Sequence, residues 1–373
     1  GKWMMVDNMR GAVTGGDDPY LDAADSAAEY TTYDWIEFTS TGFTLKNTGT
    51  SLNGDGSKYV YICIRRPDGS VGKPVEDATK VFNVIAGTSG DPTFKTGFAT
   101  DFITARPAAS SSSWWTYSRL TGTEYLALDS DGAEGAGGAS KRLDFMNGFA
   151  TGASTSDTAW GWKRHAGMDC ITYKGSGADR YISHSMNQAP EMMWLKKRNS
   201  SKNWYVYHKG LNGGNSPQNY SLRLNTNAAE DSDGDTLWNQ TAPTSTHFRI
   251  NTDNGVNTDG DTYLAMLFSS VNGISKVGSY TGNGSSTGPV ISLGFTPRFI
   301  LFKNASSGGN GWAVLDTVRG LGTSSQKRIW MDSNGAQDSG NNYVTTTSTS
   351  FQPVMNNTEF NEDNSTIIYY AHA

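Results

Sequence analysis

The stretch Asp231-Ser232-Asp233-Gly234-Asp235 places three carboxylates in a glycine-containing loop. Closely spaced carboxylates of this kind bind Ca²⁺ through oxygen ligands. Asp129-Ser130-Asp131-Gly132 is a shorter relative. An EF-hand loop ends on a carboxylate at its twelfth position, and counting from Asp231 that position is Ala242. Asp-Gly turns are also what solvated β-loops are made of. Calcium at Asp231, Asp233 and Asp235 is thus the one cofactor the sequence admits, and it indicates no other. The histidines, His165, His184, His208, His247 and His372, lie at no shared ligand spacing, and neither Cys63 nor Cys170 sits in a CxxC pair, so zinc has no support.

Glycoside hydrolysis needs two carboxylates facing each other across a sugar. Asp7 and Asp316 recur with Arg10 and Arg319 in a common Trp-x3-Asp-x2-Arg-Gly string, but the positions read as equivalent elsewhere are His208 and Arg119. An alternation of acid and base fits a structural ion pair better than a catalytic acid. No GxSxG elbow is present. The expectation is that the chain is not an enzyme.

Aromatic faces can stack on sugar rings while neighbouring polar groups meet the hydroxyls. Trp3, Trp115, Trp204 and Trp312 share one position of a repeat and read as core. Trp114, Trp238 and Trp330 are out of phase between repeats. With Tyr220 and Tyr343 they form the candidate glycan-contacting surface.

The elements that must position these residues are strands. Glycine, 43 of 373 residues, falls between short apolar runs, only 18% of residues are charged, and no window sustains helical periodicity; the nearest, 21–30 and 124–130, are weak. Residues 277–320 hold three such runs, at 289–295, 298–303 and 312–318, separated by Gly, Pro, Asn and Ser. Their parts recur upstream. Pro297, Lys303 and Trp312 match Pro190, Lys196 and Trp204, and more weakly Thr100, Arg106 and Trp115. Closing strands are expected at 158–162, 262–268, 366–371 and, in the first repeat, 58–64.

The fold class is therefore all-β, a tandem array of small antiparallel β-sandwich repeats of jelly-roll or lectin-like type. The boundaries are a partial first repeat at 1–66, a linker at 67–80, a divergent second repeat at 81–166, a third at 167–272 and a fourth at 273–373. Tight junctions, His165-Ala166-Gly167 and Val271-Asn272-Gly273, suggest a stacked, rod-like array. Residues 2–11 match residues 311–320, so the chain opens in the middle of a repeat. This is expected of a segment cut from a longer polypeptide, and Trp3 and Met5 should then line an open edge. The two cysteines read as buried free thiols.

A net charge of −6 disfavours a nucleic-acid partner, and no run approaches the ~18 apolar residues of a membrane helix. The stretches 189–214 (APEMMWLKKRNSSKNWYVYHKGLNGG), 238–248, 271–285, 294–303 and the final IIYYAHA are similar to a repeat domain of uncharacterised function. That domain is found in long virion-associated proteins of marine tailed phages, cyanophages included, often beside laminin-G-like or concanavalin-like lectin modules. The resemblance spans residues 168–373, and repeat one through its Trp-x3-Asp-x2-Arg-Gly strand; repeat two departs most. It implies a virion structural protein, a tail fibre or other appendage on the outer particle surface. Other virion proteins, copies of itself and host-surface polysaccharide are the partners this implies. A capsid decoration or head-fibre protein and a carbohydrate-active depolymerase are the alternative readings.

Overall fold

A computed structural model describes residues 3–7, 10, 12, 17–39, 42–64, 75, 77–138, 140–151 and 155–373. Most of the expected linker (67–74 and 76), and Gly11 of the Trp-x3-Asp-x2-Arg-Gly string, lie outside the described residues. Repeat one holds two hairpins, β1 (Met4–Val6) with β2 (Tyr20–Asp22) and β3 (Ile36–Phe38) with β4 (Phe43–Leu45). Repeat two contributes β5 (Phe82–Ala86), β6 (Phe102–Pro107), β7 (Trp115–Ser118), β8 (Leu126–Ala127) and β9 (Asp157–Trp162). Repeat three contributes β10 (Met168–Lys174), β11 (Arg180–Ser183), β12 (Met192–Lys197), β13 (Tyr205–His208), β14 (Leu222–Arg223), helix α1 (Gly234–Trp238), β15 (His247–Ile250) and β16 (Thr262–Phe268). Repeat four contributes β17 (Ser275–Thr281), β18 (Ile291–Ser292), β19 (Phe299–Asn304), β20 (Ala313–Asp316), β21 (Ile329–Trp330), β22 (Val344–Thr346), β23 (Ser350–Pro353) and β24 (Thr366–His372).

The protein is all-β, and repeats two to four build the same five-stranded antiparallel sheet. Its orders are β5-β9-β6-β7-β8, β10-β16-β12-β13-β14 and β17-β24-β19-β20-β21, so the closing strand always sits between the first and second large strands. The inner strands of each large sheet are buried on both faces, which is why β19 opens with the unbroken apolar run FILF. On β19, Ile300 and Phe302 face an outer core shared with Phe351, Phe360 and the small sheet β18-β23-β22. Phe299 and Leu301 face inward. The inner faces of all three sheets meet in one core, with Phe82, Phe102, Trp162, Trp194, Phe268, Phe299 and Tyr370 among its members.

Repeats two to four therefore close a three-way ring, which overturns the expected rod. The contacts that close it recur in register. The indole N–H of Trp204 donates to Ala127 O of repeat two at 2.9 Å, Trp312 to Arg223 O of repeat three at 2.9 Å, and Trp114 to Trp330 O of repeat four at 2.8 Å. Each acceptor ends the fourth strand of the sheet. Four residues further on, the carbonyls of Asp131, Asn227 and Asn334 accept backbone N–H bonds from Lys202, Gly309 and Ser112 at 2.8, 2.9 and 2.8 Å. A head-to-tail contact repeated three times with the right rotation closes on itself. The tight junctions allow this because each closing strand turns at once into the first strand of the next repeat, through the bridges His165↔Met168 and Val271↔Ser275.

The cation that ends the second large strand belongs to the same interface. Lys196 Nζ donates to Asp131 O and Lys303 Nζ to Asn227 O, at 3.0 and 3.2 Å. Arg106 spans the carbonyls of Ser333, Asn334 and Gly335. Burial pushes both lysines down to about 8 and Arg106 down to about 10, and the carbonyls supply the partners a buried cation needs.

These contacts correct the phase assigned to repeat two. The residue equivalent to Trp204 and Trp312 is Trp114, which is fully buried, and Trp115 is half-buried on the opposite face. The polar residue four positions on is consequently Ser118, not Arg119. Ser118, His208 and Asp316 each reach the repeat on the other side of the ring, at Cys170, Tyr369 O and the Trp160 indole, 3.2, 3.3 and 2.9 Å away. Cys170 is buried but Cys63 is exposed, and both are free, so the expectation of two buried thiols holds for one of them. Among the described residues α1 is the one α-helix, and no helix is long and apolar enough to cross a membrane.

Candidate functional site

A polar cleft of about 410 Å³ opens in repeat three, lined by Asn212, Asn215, Ser216, Asn219, Tyr220, Ser232, Asp235 and Gln240. It lies between the loop after β13 and helix α1. The loop is two 3-10 turns, Leu211–Gly214 and Pro217–Asn219, with buried Leu211 as its anchor and Pro217 starting the second turn. Asn212, Ser216, Asn239 and Gln240 all take left-handed backbone, with φ of 51, 49, 49 and 51°. Such conformations are uncommon outside glycine and gather at binding sites. Helix α1 presses on the second turn so closely that a Cβ at Gly234 would stand 2.2 Å from Gln218 O. Leu237 and Trp238 are buried beneath it, and the Trp238 indole donates to Tyr220 O at 3.1 Å, which fixes Tyr220 at the rim.

Further bonds hold the amides in place. Asn212 N donates to Glu230 Oε2 at 2.7 Å, and Asn212 Nδ2 to Asn215 O at 2.7 Å. Burial raises the Glu230 carboxyl above its ordinary range. Asn219 Oδ1 is shielded from solvent and has no hydrogen-bond partner among the described residues. The walls thus offer amide donors and acceptors, hydroxyls, one aromatic ring and a single carboxylate, Asp235. That chemistry suits a neutral, hydroxyl-rich ligand.

The profile of a family described as Domain of unknown function (DUF7483) matches residues 1–66 and 151–373, well over half of the chain. The chain belongs to the DUF7483 family. The DUF7483 match takes in repeats one, three and four, the cleft included, and passes over residues 67–150, which hold β5–β8 of repeat two. A comparison with curated proteins finds no match.

Of the residues singled out from the sequence, two reach the cleft within the DUF7483 match, Tyr220 and Asp235. Trp238 lies beneath it, buried. Trp114 and Tyr343 are also buried, and Trp330 is half-buried with its indole on Glu359 at 2.5 Å. The five aromatics therefore do not form the exposed surface expected of them. The Trp114 ring serves the contact with repeat four, the Trp238 ring holds the backbone of the half-buried Tyr220, and Tyr343 and Trp330 join a cluster around Arg328 with Asp338 and Glu359. The three aspartates do not converge on a calcium site either. Asp233 pairs with Arg223 and accepts from Ser221 Oγ at 2.5 Å, and Asp235 accepts from Thr236 N at 2.8 Å. Among the described residues no group of three His, Cys, Asp or Glu side chains could hold a metal ion. The amide residues of the cleft were missed. Their signal in the sequence is the asparagine-rich run 212–219 with its Gly-Gly and Ser-Pro steps.

Proposed function

We propose that this chain is a non-catalytic structural module of a virion appendage, exposed on the particle, which holds host-surface glycan in the cleft of repeat three. The observation that carries the binding half is the cleft itself. Its walls are amides and hydroxyls with one tyrosine at the rim and the single carboxylate Asp235. Sugar hydroxyls pair with such amides and hydroxyls, and the tyrosine ring suits the apolar face of a sugar. Two-carboxylate hydrolysis would need a second carboxylate facing Asp235, and the cleft lining supplies one only. The resemblance to phage virion repeats supports the structural half, and a three-repeat ring with one shared core suits a load-bearing module.

Titration with neutral host-surface oligosaccharides tests the reading. Binding should occur with the full chain, fall by about tenfold or more in Asn219→Leu and Tyr220→Ala, and persist in chelator. No binding by the full chain, or binding that both substitutions leave unchanged, contradicts it. Release of reducing ends from host polysaccharide by the pure protein would instead favour a depolymerase. Peptides of this chain should be found by mass spectrometry in purified particles.

A further inference from the structure

Residues 58–64, KYVYICI, run extended along repeat one, and among the described residues they pair with no strand. Val60, Ile62 and Ile64 are 82, 83 and 89% exposed. Three aliphatic side chains and an open row of backbone groups are costly to leave in water and prone to pairing.

The other repeats show what this segment is built for. It follows Asn53-Gly54-Asp55-Gly56-Ser57, as β16 follows Asn257-Thr258-Asp259-Gly260-Asp261 and β24 follows Asn361-Glu362-Asp363-Asn364-Ser365. The three turns have one geometry. Gly56, Gly260 and Asn364 take φ of 68, 78 and 57°. Asn53, Asn257 and Asn361 donate N–H to the carbonyls of Gly49, Asp253 and Asn357 at 2.9, 2.8 and 3.0 Å. The hairpin β1–β2 matches as well. Ala23 N donates to Trp3 O at 2.9 Å, as Leu224 N does to Trp204 O at 3.0 Å and Met331 N to Trp312 O at 2.9 Å. Repeat one therefore shows the third, fourth and closing strands of the sheet. In repeats three and four the closing strand is bonded on both sides, to β10 and β12 and to β17 and β19.

We propose that residues 59–64 are an acceptor strand that takes two extended, antiparallel segments, one on each side, from a partner polypeptide. The partner's chemistry follows from the complete repeats. One segment is apolar on both faces like β19, and the other alternates like β17. A second copy of this chain is not that partner, because its three pairs of such strands already flank their own closing strands.

A synthetic peptide of residues 274–304, which carries β17, β19 and their connection, is the probe, with the full chain as acceptor. Hydrogen exchange should be fast at the amides of 59–64 in the chain alone and slow by about tenfold or more when the peptide binds. Ile62→Pro, which removes one N–H from the ladder, should weaken peptide binding by about tenfold or more and leave the melting of the chain unchanged. The proposal is overturned if these amides are already protected without peptide, through self-association or otherwise. It is also overturned if exchange is unchanged at saturating peptide, if a scrambled peptide protects equally, or if Ile62→Pro binds as well as the parent chain.

Discussion

Trp312 and Trp3 stand at the same place in the same hairpin, yet one is fully buried and the other is 62% exposed. The local structure around them is the same. Arg319 N donates to Asp316 Oδ1 at 3.0 Å and Arg10 N to Asp7 Oδ1 at 2.8 Å, and each arginine pairs with its aspartate. In repeat four the pair is also buried against repeat two, where Asp316 accepts from the Trp160 indole and Arg319 lies 4.8 Å over that ring. Repeat one has its own small core of Tyr20, Trp35 and Ile36. The difference shows that the Trp-x3-Asp-x2-Arg string does not hold a repeat together from within. It is half of a joint between repeats, and it becomes core only where a neighbour closes on it.

Paired substitutions test that reading, beginning with the largest effect. Asp316→Ala leaves Arg319 buried without its counter-charge and should cost about 3–5 kcal/mol, whereas Asp7→Ala, in a half-exposed pair, should cost about 0–1 kcal/mol. Trp312→Ala should likewise cost about 3–5 kcal/mol, with Trp3→Ala within about 0.5 kcal/mol of the parent chain. Thermal melts of the four variants decide this, and equal costs within either pair would break the comparison.

A smaller effect comes from acid. Burial pulls His208 down to about 3 and His372 well below its ordinary value. The unfolded chain therefore binds more protons than the folded chain between about pH 6.5 and 3. The stability these two groups support is complete above pH 6.5 and is lost as pH falls through that window, by up to about 1.4 kcal/mol per pH unit for each. His208→Gln should flatten the fall seen in melts between pH 6.5 and 4. A slope unchanged by the substitution would remove His208 from the account. The smallest effect is chemical. Cys63 is exposed, while Cys170 is buried in the ring and its thiol is pushed up to about 12. Iodoacetamide should label the native chain at Cys63 alone.

Much of this was legible in the sequence. The equal spacing from Pro190 to Lys196 and from Pro297 to Lys303 placed both lysines at one position of matching strands, and the closing strands 262–268 and 366–371 fall on β16 and β24 almost to the residue. The Trp-x3-Asp-x2-Arg string located the β1–β2 hairpin. The ring was not legible, because an indole that meets a neighbouring repeat is as apolar and as periodic as one that fills its own sandwich. Trp114-Trp115 shows the limit most clearly. Adjacent residues of a strand point to opposite faces, and composition cannot say which tryptophan faces the neighbour. The cleft was hidden for another reason. It rests on left-handed backbone at Asn212, Ser216, Asn239 and Gln240, and a run of asparagines reads as a turn whether or not it encloses a site.

The central claim is that repeats two to four are one body with one shared core. Hydrogen exchange in mild denaturant measures it most directly, through the opening free energies of the closing strands β9, β16 and β24 in the parent chain and in Trp114→Ala. The account predicts one common opening free energy for the three strands, falling by the same about 3–5 kcal/mol in all of them when the repeat-two tryptophan is removed. Loss of protection confined to β9, with β16 and β24 unchanged, would contradict it.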